Sequence, residues 1–435
     1  MRSWWTAIGV GCFIVMQVAA LEVGTGRADI TPDVKAFQVP LAGYGAREGK
    51  PATGVHDPLH AKVLYLRDGN TSMALITCDL RSVTPELKNQ IIEKLPGLGL
   101  AHDNVLIAAS HTHDGPAIFA ERFWQLQFGV HDPRIVDFMS TEIARAAKDA
   151  VENAVPARIG IAQTMVEGFT NNRRWEYDQK AREAAGETPQ VEPVLSVIRA
   201  DTMEGKPIAI LVNFATHPTI LGHENMEISA EWPGVLQRRL EEAFPGATAL
   251  YANGAEGDQS PGHAEGADDF ERVSDFGTRL AAAAGTLAKT IETQPDLPIG
   301  YARTTPELPP LSFSEGAKAR YGDYLALAYE ALPRKAELQV FRIGTIALAG
   351  LPGEPILEVG RTTQIGVKSL GFEHVLVLGL ANDYIGYIVN EKEYAHGGYE
   401  VDSRSYYGPG LGTFIAEGTV QTATGLLKAR DSGSI

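Results

Sequence analysis

The stretch "SHTHDGP", residues 110–116, places two histidines on either side of a threonine, directly after the apolar run "NVLIAA". In an extended segment, residues i and i+2 point to the same side, so His111 and His113 would face one pocket at the end of a buried strand. That arrangement suits a metal ligand with a catalytic neighbour. The alternative is a polar turn whose histidines are only solvated, and the spacing of the two residues is compatible with both interpretations.

Two further residues are candidates for the same site. His217 lies in "NFATHPT" and Glu354 lies in "LPGEP", and each segment follows an apolar run. Histidine nitrogens and a carboxylate are the usual ligands of catalytic zinc, which keeps one coordination position open for water. His111, His217 and Glu354 are therefore the candidate ligands, and the eight histidines other than these and His113 are interpreted as surface or hydrogen-bonded structural residues.

Five apolar, strand-like runs end in polar loops of this kind. The loops are "HTHDGP", "THPT", "GAEGDQSP", "LPGEP" and "NDYIGY". Open α/β sheets place their sites at the C-terminal ends of strands. Helical patterns, with apolar residues three and four apart, cover residues 134–151 and 269–291. The sequence predicts an α/β fold of mixed sheets flanked by helices, with the active site at the C-terminal ends of strands.

Two segments have less regular patterns. "GTGRAD", residues 24–29, lacks the third glycine of a dinucleotide-binding fingerprint, and we interpret it as an N-terminal turn. The polar stretch 167–191 carries an aromatic residue, Trp175. It fits either a solvated excursion or a wall of the substrate cleft.

Composition and the N-terminus limit the class of protein. With 435 residues, 44% of them hydrophobic, the chain can build a large core, and its net charge of −16 opposes a nucleic-acid partner. Residues 1–20 combine Arg2, an apolar stretch and a small-residue end at Ala20, which predicts a signal peptide and a secreted or periplasmic protein. No later apolar run is long enough to predict an integral membrane segment. Cys78, the one cysteine left after removal of the signal peptide, is predicted to be buried and unpaired.

Several familiar catalytic motifs are missing from the sequence. It contains no GxSxG elbow, no HExxH helix and no GxxxxGK[ST] loop. These absences argue against a lipase-type serine hydrolase, a zincin and a P-loop enzyme.

Eight segments of the chain occur in the order and approximate spacing of the neutral, non-lysosomal ceramidases. They are "VGTGRADITP", "GYG", "GVHDPLHAKVLYL", "SHTHDGP", "NFATHPT", "GDQSP", "PGEP" with the later "GR", and "NDYIGYIVNEKEYAHGGYE". The sequence resembles the N-terminal catalytic domain of this family over nearly the whole chain after residue 20. The resemblance predicts one catalytic domain over residues 21–435, without the family's C-terminal β-sandwich-like domain.

The resemblance also implies a zinc ion and its ligands, which are His111, His217, Glu354 and Tyr387. Tyrosine is an unusual ligand. A divalent cation nevertheless stabilises the phenolate and lowers the pKa of the tyrosine hydroxyl, which is ordinarily about 10.

Further roles follow from the same resemblance. His113 matches a residue that contacts the reacting carbonyl and its oxyanion, and Arg173 and Tyr399 match other residues of the family's site. Ser260 matches a serine regarded as a possible nucleophile. Because zinc activates water without a second nucleophile, the chemistry favours substrate positioning for Ser260 over covalent catalysis.

The sequence therefore predicts a zinc-dependent amidohydrolase that cleaves an N-acyl amide, with the lipid ceramide as leading substrate. Ser110, Asp114 and Gln259 depart from the residues usual in the family, so specificity for ceramide is less firmly implied than amide hydrolysis. One alternative is a hydrolase of another acyl amide or ester with the same zinc centre. Another is a non-catalytic cell-surface binding protein, which would have little use for an open metal position.

Overall fold

A computed structural model describes residues 20–177 and 179–431 of the chain. The predicted signal peptide, apart from Ala20, lies outside these residues. The strands are β1 (Glu22–Asp29), β2 (Gly54–Val55), β3 (His60–Asp68), β4 (Thr71–Cys78), β5 (Val105–Ala109), β6 (Val155–Met165), β7 (Thr170–Asn172), β8 (Val194–Thr202), β9 (Pro207–Phe214), β10 (Glu227–Ile228), β11 (Thr248–Asn253), β12 (Gln259–Pro261), β13 (Ile299–Thr304), β14 (Leu338–Ile343), β15 (Ile346–Gly350), β16 (Glu354–Pro355), β17 (His374–Leu378) and β18 (Tyr387–Ile388).

Helices connect most of the longer strands. They are α1 (Pro85–Glu93), α2 (Arg122–Phe128), α3 (Pro133–Glu152), α4 (Gln179–Ala184), α5 (Glu231–Ala243), α6 (Asp269–Ala288), α7 (Glu315–Tyr321), α8 (Leu325–Ala331), α9 (Leu357–Lys368), α10 (Glu391–Ala395), α11 (Tyr399–Arg404) and α12 (Leu411–Asp431). The two helices predicted from apolar spacing are confirmed as α3 and α6, and each begins at an aspartate that caps a free backbone N–H: Asp132 and Asp268.

Two large sheets form the centre of the molecule. The first has the strand order β11-β9-β8-β6-β1-β3-β4-β5, and the second has the order β13-β14-β15-β17. Both sheets mix parallel and antiparallel pairs; β4 and β5, for example, are parallel, whereas β3 and β4 are antiparallel. Only two residue pairs join β1 to β6, so the eight-stranded sheet consists of two four-stranded halves held at a narrow seam. The predicted α/β fold with mixed sheets is confirmed.

The inner faces of both halves and one face of the second sheet enclose a common apolar core. Leu106 of β5 points into this core with Phe341 and Leu348 of the second sheet. Its neighbour Ile107 points the opposite way, toward the helices, as the alternation of side chains along a strand requires. Helices α1 and α3 cover one half of the first sheet, α5 and α6 the other half, and α9 and α12 the second sheet. Because these strands are buried on both faces, they read as continuous apolar runs in the sequence.

The turn predicted at residues 24–29 is wrong, because this segment is part of strand β1. Its glycines serve a different purpose. A Cβ atom at Gly24 or Gly26 would collide with a backbone carbonyl oxygen of α3, that of Ala150 or Ala146 respectively. The missing side chains therefore allow the helix to pack directly on the strand, a reason for strand glycine that does not involve a turn.

The outer edge of β5 is paired with a segment from far along the chain. The backbone N–H of Ala109 donates to the carbonyl of Leu380 at 3.3 Å, and that of Asn382 donates to the carbonyl of Ile107 at 2.8 Å. The Asn382 side chain accepts from the N–H of Ile107 at 2.9 Å. Residues 380–382 thus occupy hydrogen-bonding positions that a further strand would otherwise take.

Two other expectations concern the chain as a whole. Cys78 is buried at the end of β4 and unpaired, as predicted. Within residues 20–177 and 179–431, no helix has the length and apolar character needed to cross a membrane.

Candidate metal centre

The C-terminal ends of three strands meet at one asparagine, the last residue of β11. The Asn253 amide nitrogen donates to the carbonyls of Ser110 and Thr216, both at 3.1 Å. Ser110 follows β5 and Thr216 follows β9, and each directly precedes a candidate ligand, His111 or His217. A single buried side chain therefore fixes the backbone before both histidines.

Both histidines present the same ring nitrogen to the centre. The Nδ1 atom of His111 lies 2.6 Å from the carbonyl of Arg81, and that of His217 lies 3.0 Å from the carbonyl of Gln259. A carbonyl oxygen only accepts, so each Nδ1 carries the proton and each Nε2 keeps a free lone pair. Both Nε2 atoms face the same carboxylate oxygen, Oε2 of Glu354, at 3.2 and 3.3 Å.

These separations fit a zinc ion. Tetrahedral zinc with ligand bonds of about 2.0–2.1 Å spaces its ligands about 3.3–3.4 Å apart. The three donor residues are fully buried. The second oxygen of Glu354 accepts from the Tyr384 hydroxyl at 2.6 Å and from the Arg81 guanidinium at 3.3 Å, so the carboxylate is oriented from behind.

The charge states also suit metal binding. Burial by itself would raise the pKa of Glu354, but the electrostatic influence of His111 and of the Arg81 guanidinium holds it well below its usual range. Burial lowers the pKa of His217 to about 4, so this imidazole is neutral near pH 7. A carboxylate and neutral imidazoles are the forms that bind a metal ion.

Tyr387 is brought to the centre by strand pairing. In the short parallel pair of β16 and β18, Tyr387 lies opposite Glu354. Its hydroxyl lies 2.9 Å from a guanidinium nitrogen of Arg173, which donates to it. Burial raises the pKa of Tyr387 well above its usual range, and Arg173 opposes this effect. The tyrosine becomes a phenolate ligand only beside a further positive charge, which a metal ion supplies.

The two histidines of "SHTHDGP" converge, although the segment is not extended. His111 has a φ of 75°, in the left-handed region, so the predicted extended conformation is wrong at this residue. The ring centroids of His111 and His113 are nevertheless 4.9 Å apart, and their Nε2 atoms are 3.4 Å apart. By distance alone, His113 could join the ligands.

Hydrogen bonding sets His113 apart from the two candidate ligands. Its Nδ1 atom is buried and has no hydrogen-bond partner among the residues that the structure describes. Ligand histidines normally donate this second N–H to a fixed acceptor, as His111 and His217 do. His113 instead packs against the edge of the Tyr44 ring, with centroids 4.8 Å apart. No anchor selects its tautomer, so it can carry a proton on the nitrogen that faces the centre.

Arg173 and Tyr399 lie beside Tyr387. Besides Tyr387, Arg173 donates to Glu400 at 2.7 Å and to the carbonyl of Gly257 at 2.8 Å. Its guanidinium carbon is 5.4 Å from the centroid of the Tyr399 ring. Arg173 belongs to the polar stretch 167–191, so this part of the stretch forms a wall of the centre and is not a solvated excursion.

Ser260 is adjacent to the centre but outside the group of candidate ligands. It lies in β12, next to Gln259, whose carbonyl holds His217. Its hydroxyl donates to the carbonyl of Asn171 at 3.3 Å. In the described part of the chain no histidine, lysine or carboxylate hydrogen-bonds this hydroxyl, so the geometry offers no base to activate it as a nucleophile.

The sequence reasoning missed Arg81 and Glu256. Arg81 follows the apolar run "MALITCDL", which is a sixth strand ending in polar residues, so the same strand-end signal could have identified it. Glu256 lies in "GAEGDQSP" and is fully buried, and neither of its carboxylate oxygens has a hydrogen-bond partner in the described part of the chain. It offers an oxygen within 4.8 Å of the ligand atoms of His111 and Glu354.

We expect Glu256→Gln, which keeps the size of the side chain but cannot ionise to a carboxylate beside the metal, to weaken Zn²⁺ binding by about 10- to 100-fold, the range found for groups that support metal ligands. Competition with a fluorescent zinc chelator measures this change. Glu337→Gln is the matched control, since Glu337 pairs with Lys88 and not with the centre. An unchanged Zn²⁺ affinity in Glu256→Gln would show that Glu256 does not serve the metal.

Comparison with known protein families gives one match. Residues 21–294 match the family described as "Neutral/alkaline non-lysosomal ceramidase, N-terminal". This span includes five of the predicted site residues and ends before the other three, which are Glu354, Tyr387 and Tyr399.

Individual relatives extend the similarity along the chain. The chain is 24% identical to the neutral ceramidase of Pseudomonas aeruginosa, over 94% of this chain and 73% of that protein. It is also 24% identical to the neutral ceramidase of Mycobacterium tuberculosis, over 87% of this chain and 73% of that protein. Neutral ceramidase A of Dictyostelium discoideum is 29% identical over 56% of this chain and 36% of its own length.

Solved structures share the fold. The crystal structure of the neutral ceramidase from Pseudomonas aeruginosa gives a TM-score of 0.81 at 22% identity, over 94% of this chain and 74% of that chain. A structure described as a ceramidase complexed with C2 gives a TM-score of 0.80, also at 22% identity, over 94% of this chain and 76% of that chain.

Proposed function

Since the chain belongs to the neutral/alkaline non-lysosomal ceramidase family, we propose that it is a zinc-dependent amidohydrolase that cleaves N-acyl amides to a fatty acid and an amine. The observation that carries this proposal is the convergence of the free Nε2 atoms of His111 and His217 on one oxygen of Glu354. Ceramide is the first substrate to test, because the relatives are named neutral ceramidases.

Four residues would hold the zinc ion: His111, His217, Glu354 and Tyr387. Bound there, zinc would supply Lewis-acid chemistry, which polarises a carbonyl and activates water as a nucleophile at neutral pH. Arg81 and Tyr384 keep the carboxylate of Glu354 in position.

The remaining residues act on the substrate. His113 faces the centre as a neutral imidazole, since burial lowers its pKa well below the usual range. With a proton on Nε2, it donates a hydrogen bond to the oxyanion that forms when water adds to the amide carbon. Tyr399 adds a hydroxyl donor, and Arg173 holds Tyr387. The C–N bond then breaks, the amine leaves with a proton from the attacking water, and the acid remains. Ser260 positions substrate.

The domain and location complete the proposal. Residues 21–435 form one catalytic domain, supported by the sheets that share a core across the described part of this range. Residues 1–20 are a signal peptide that is removed near Ala20, which places the protein outside the cytoplasm.

The function is tested by measuring metal content beside fatty acid release from a panel of acyl amides that includes ceramide. We expect about one zinc per chain, because the site has one set of converging donors. Release from matched acyl esters alone would favour the alternative hydrolase. A protein that binds zinc and cleaves neither class would be a binding protein, and full activity after complete removal of metal would refute the zinc mechanism.

A further inference from the structure

A cavity of about 500 Å³ opens beside the candidate metal centre. Gly43 and Tyr44 line one part of it, and both contact His113. A Cβ atom at Gly43 would press on the His113 ring, and Tyr44 packs against the edge of that ring. On the other side it is lined by Tyr399, whose ring centroid is 6.1 Å from that of Tyr387. The cavity therefore adjoins the place where the amide of a substrate at His113 would lie.

The charge of the cavity is opposite to that of the protein. The chain has 54 acidic and 38 basic residues. The residues that line the cavity nevertheless include two arginines, Arg320 and Arg404, and no aspartate or glutamate. Most of the remaining lining residues are aromatic or small. This wall suits an apolar group that carries a negative charge.

Arg404 is a buried arginine of this cavity without a carboxylate partner among the described residues. Arg404 is 7% exposed, and its guanidinium carbon lies 4.9 Å from the centroid of the Phe128 ring. Its hydrogen bond to the Gln127 side chain is long, at 3.4 Å. No carboxylate pairs with it among the residues that the structure describes. A buried cation without an anionic partner is costly.

Other buried arginines of the protein do have such partners. Arg47 pairs with Asp114 at 2.5 Å, and Arg81 pairs with Glu354. Arg174 pairs with two glutamates, at 2.9 and 2.7 Å. Arg404 differs from these arginines, because it lines an open cavity and has no carboxylate partner among the residues that the structure describes.

We propose that Arg404 binds an anionic oxygen group of the substrate, so that the preferred substrates are acyl amides carrying a carboxylate or a phosphate, and uncharged ceramide is a poorer one. A guanidinium binds either group through two parallel hydrogen bonds. Arg320 lines the same cavity but is exposed, so its positive charge attracts an anionic group from solvent. This inference rests on the proposed function, because it assigns a specificity to the same site.

Two matched substrate pairs test the proposal and separate the two sources of charge. N-acylglycine is compared with N-acylethanolamine of the same acyl chain, and ceramide phosphate is compared with ceramide. We expect kcat/KM to be at least about tenfold higher for the anionic member of one pair, since the uncharged member cannot make a charge-assisted bidentate contact with the guanidinium. The pair that shows the preference identifies carboxylate or phosphate as the recognised group.

Variants assign the preference to Arg404. Arg404→Gln should bring the ratio of kcat/KM values toward one, and Arg404→Lys should keep part of it. Arg279→Gln is the control, because Arg279 pairs with Asp275 on α6, outside the cavity, and its ratio should equal that of the wild type. Equal kcat/KM values within both pairs, or a preference that survives in Arg404→Gln, would overturn the proposal.

A binding measurement keeps this test independent of turnover. Calorimetry with zinc-free protein and the anionic member of each pair should show binding to the wild type that weakens at least about tenfold in Arg404→Gln. If no amide is hydrolysed, the proposed function fails while calorimetry still decides the role of Arg404. If amides are hydrolysed without preference and no anionic member binds, the inference fails and the proposed function stands.

Discussion

Replacement of His217 with alanine is expected to remove the metal ion and reduce amide hydrolysis to the background rate. His217 supplies one of the two imidazoles that face Glu354, and its Nε2 atom is 3.3 Å from the carboxylate. Alanine would leave too few donors for a closed set of ligands in a fully buried site. Elemental analysis of the purified variant, beside fatty acid release, measures both losses.

A surface histidine provides the control for this variant. His374 contacts the Gln163 side chain at 2.9 Å, away from the centre, so His374→Ala should retain metal and activity. A His217→Ala protein that keeps one metal ion per chain and hydrolyses amides would contradict the assignment of His217 as a ligand.

His113→Ala is expected to keep near-normal zinc while kcat falls by about 10²- to 10³-fold, the usual effect of removing one donor to an oxyanion. The structural reason is the missing anchor on Nδ1, which distinguishes His113 from the ligand histidines. Zinc stoichiometry and steady-state kinetics on the best acyl amide measure the two effects separately.

His111→Ala is the matched comparison, because it removes the neighbouring imidazole and should lose both metal and activity. The two Nε2 atoms are only 3.4 Å apart, so the two variants remove neighbouring nitrogens of the same centre. If His113→Ala loses its zinc as completely as His111→Ala, His113 is a ligand. If it hydrolyses substrate at the wild-type rate, it has no part in stabilising the oxyanion.

The sequence predicted the parts of the fold and site that depend on local pattern. Strands β5, β9, β11, β15 and β17 were recognisable because burial on both faces makes them continuous apolar runs that stop at polar loops. The same strand-end rule brought His111, His217 and Glu354 together. Tyr387 required the family resemblance, because tyrosine is too rare a ligand for its chemistry alone to identify it.

Other features depend on neighbours that are distant in the sequence. Gly24 and Gly26 suggested a turn, and only the position of α3 shows that they admit a helix. Glu256 and Arg404 are ordinary charged residues in the sequence. What distinguishes them is burial without an oppositely charged partner among the described residues, a property set by residues contributed from other elements. No local pattern encodes such a property.

The edge of β5 has a consequence for how the protein is made. A nascent chain leaves the ribosome from its N-terminus, so the residues of β5 are synthesised long before residues 380–382 are available to pair with them. During that interval its free N–H and C=O groups are a template for strands of other chains. The segment that closes this edge is followed within a few residues by Tyr387, which pairs opposite Glu354. The nascent chain is thus exposed to aggregation for as long as its catalytic centre is incomplete.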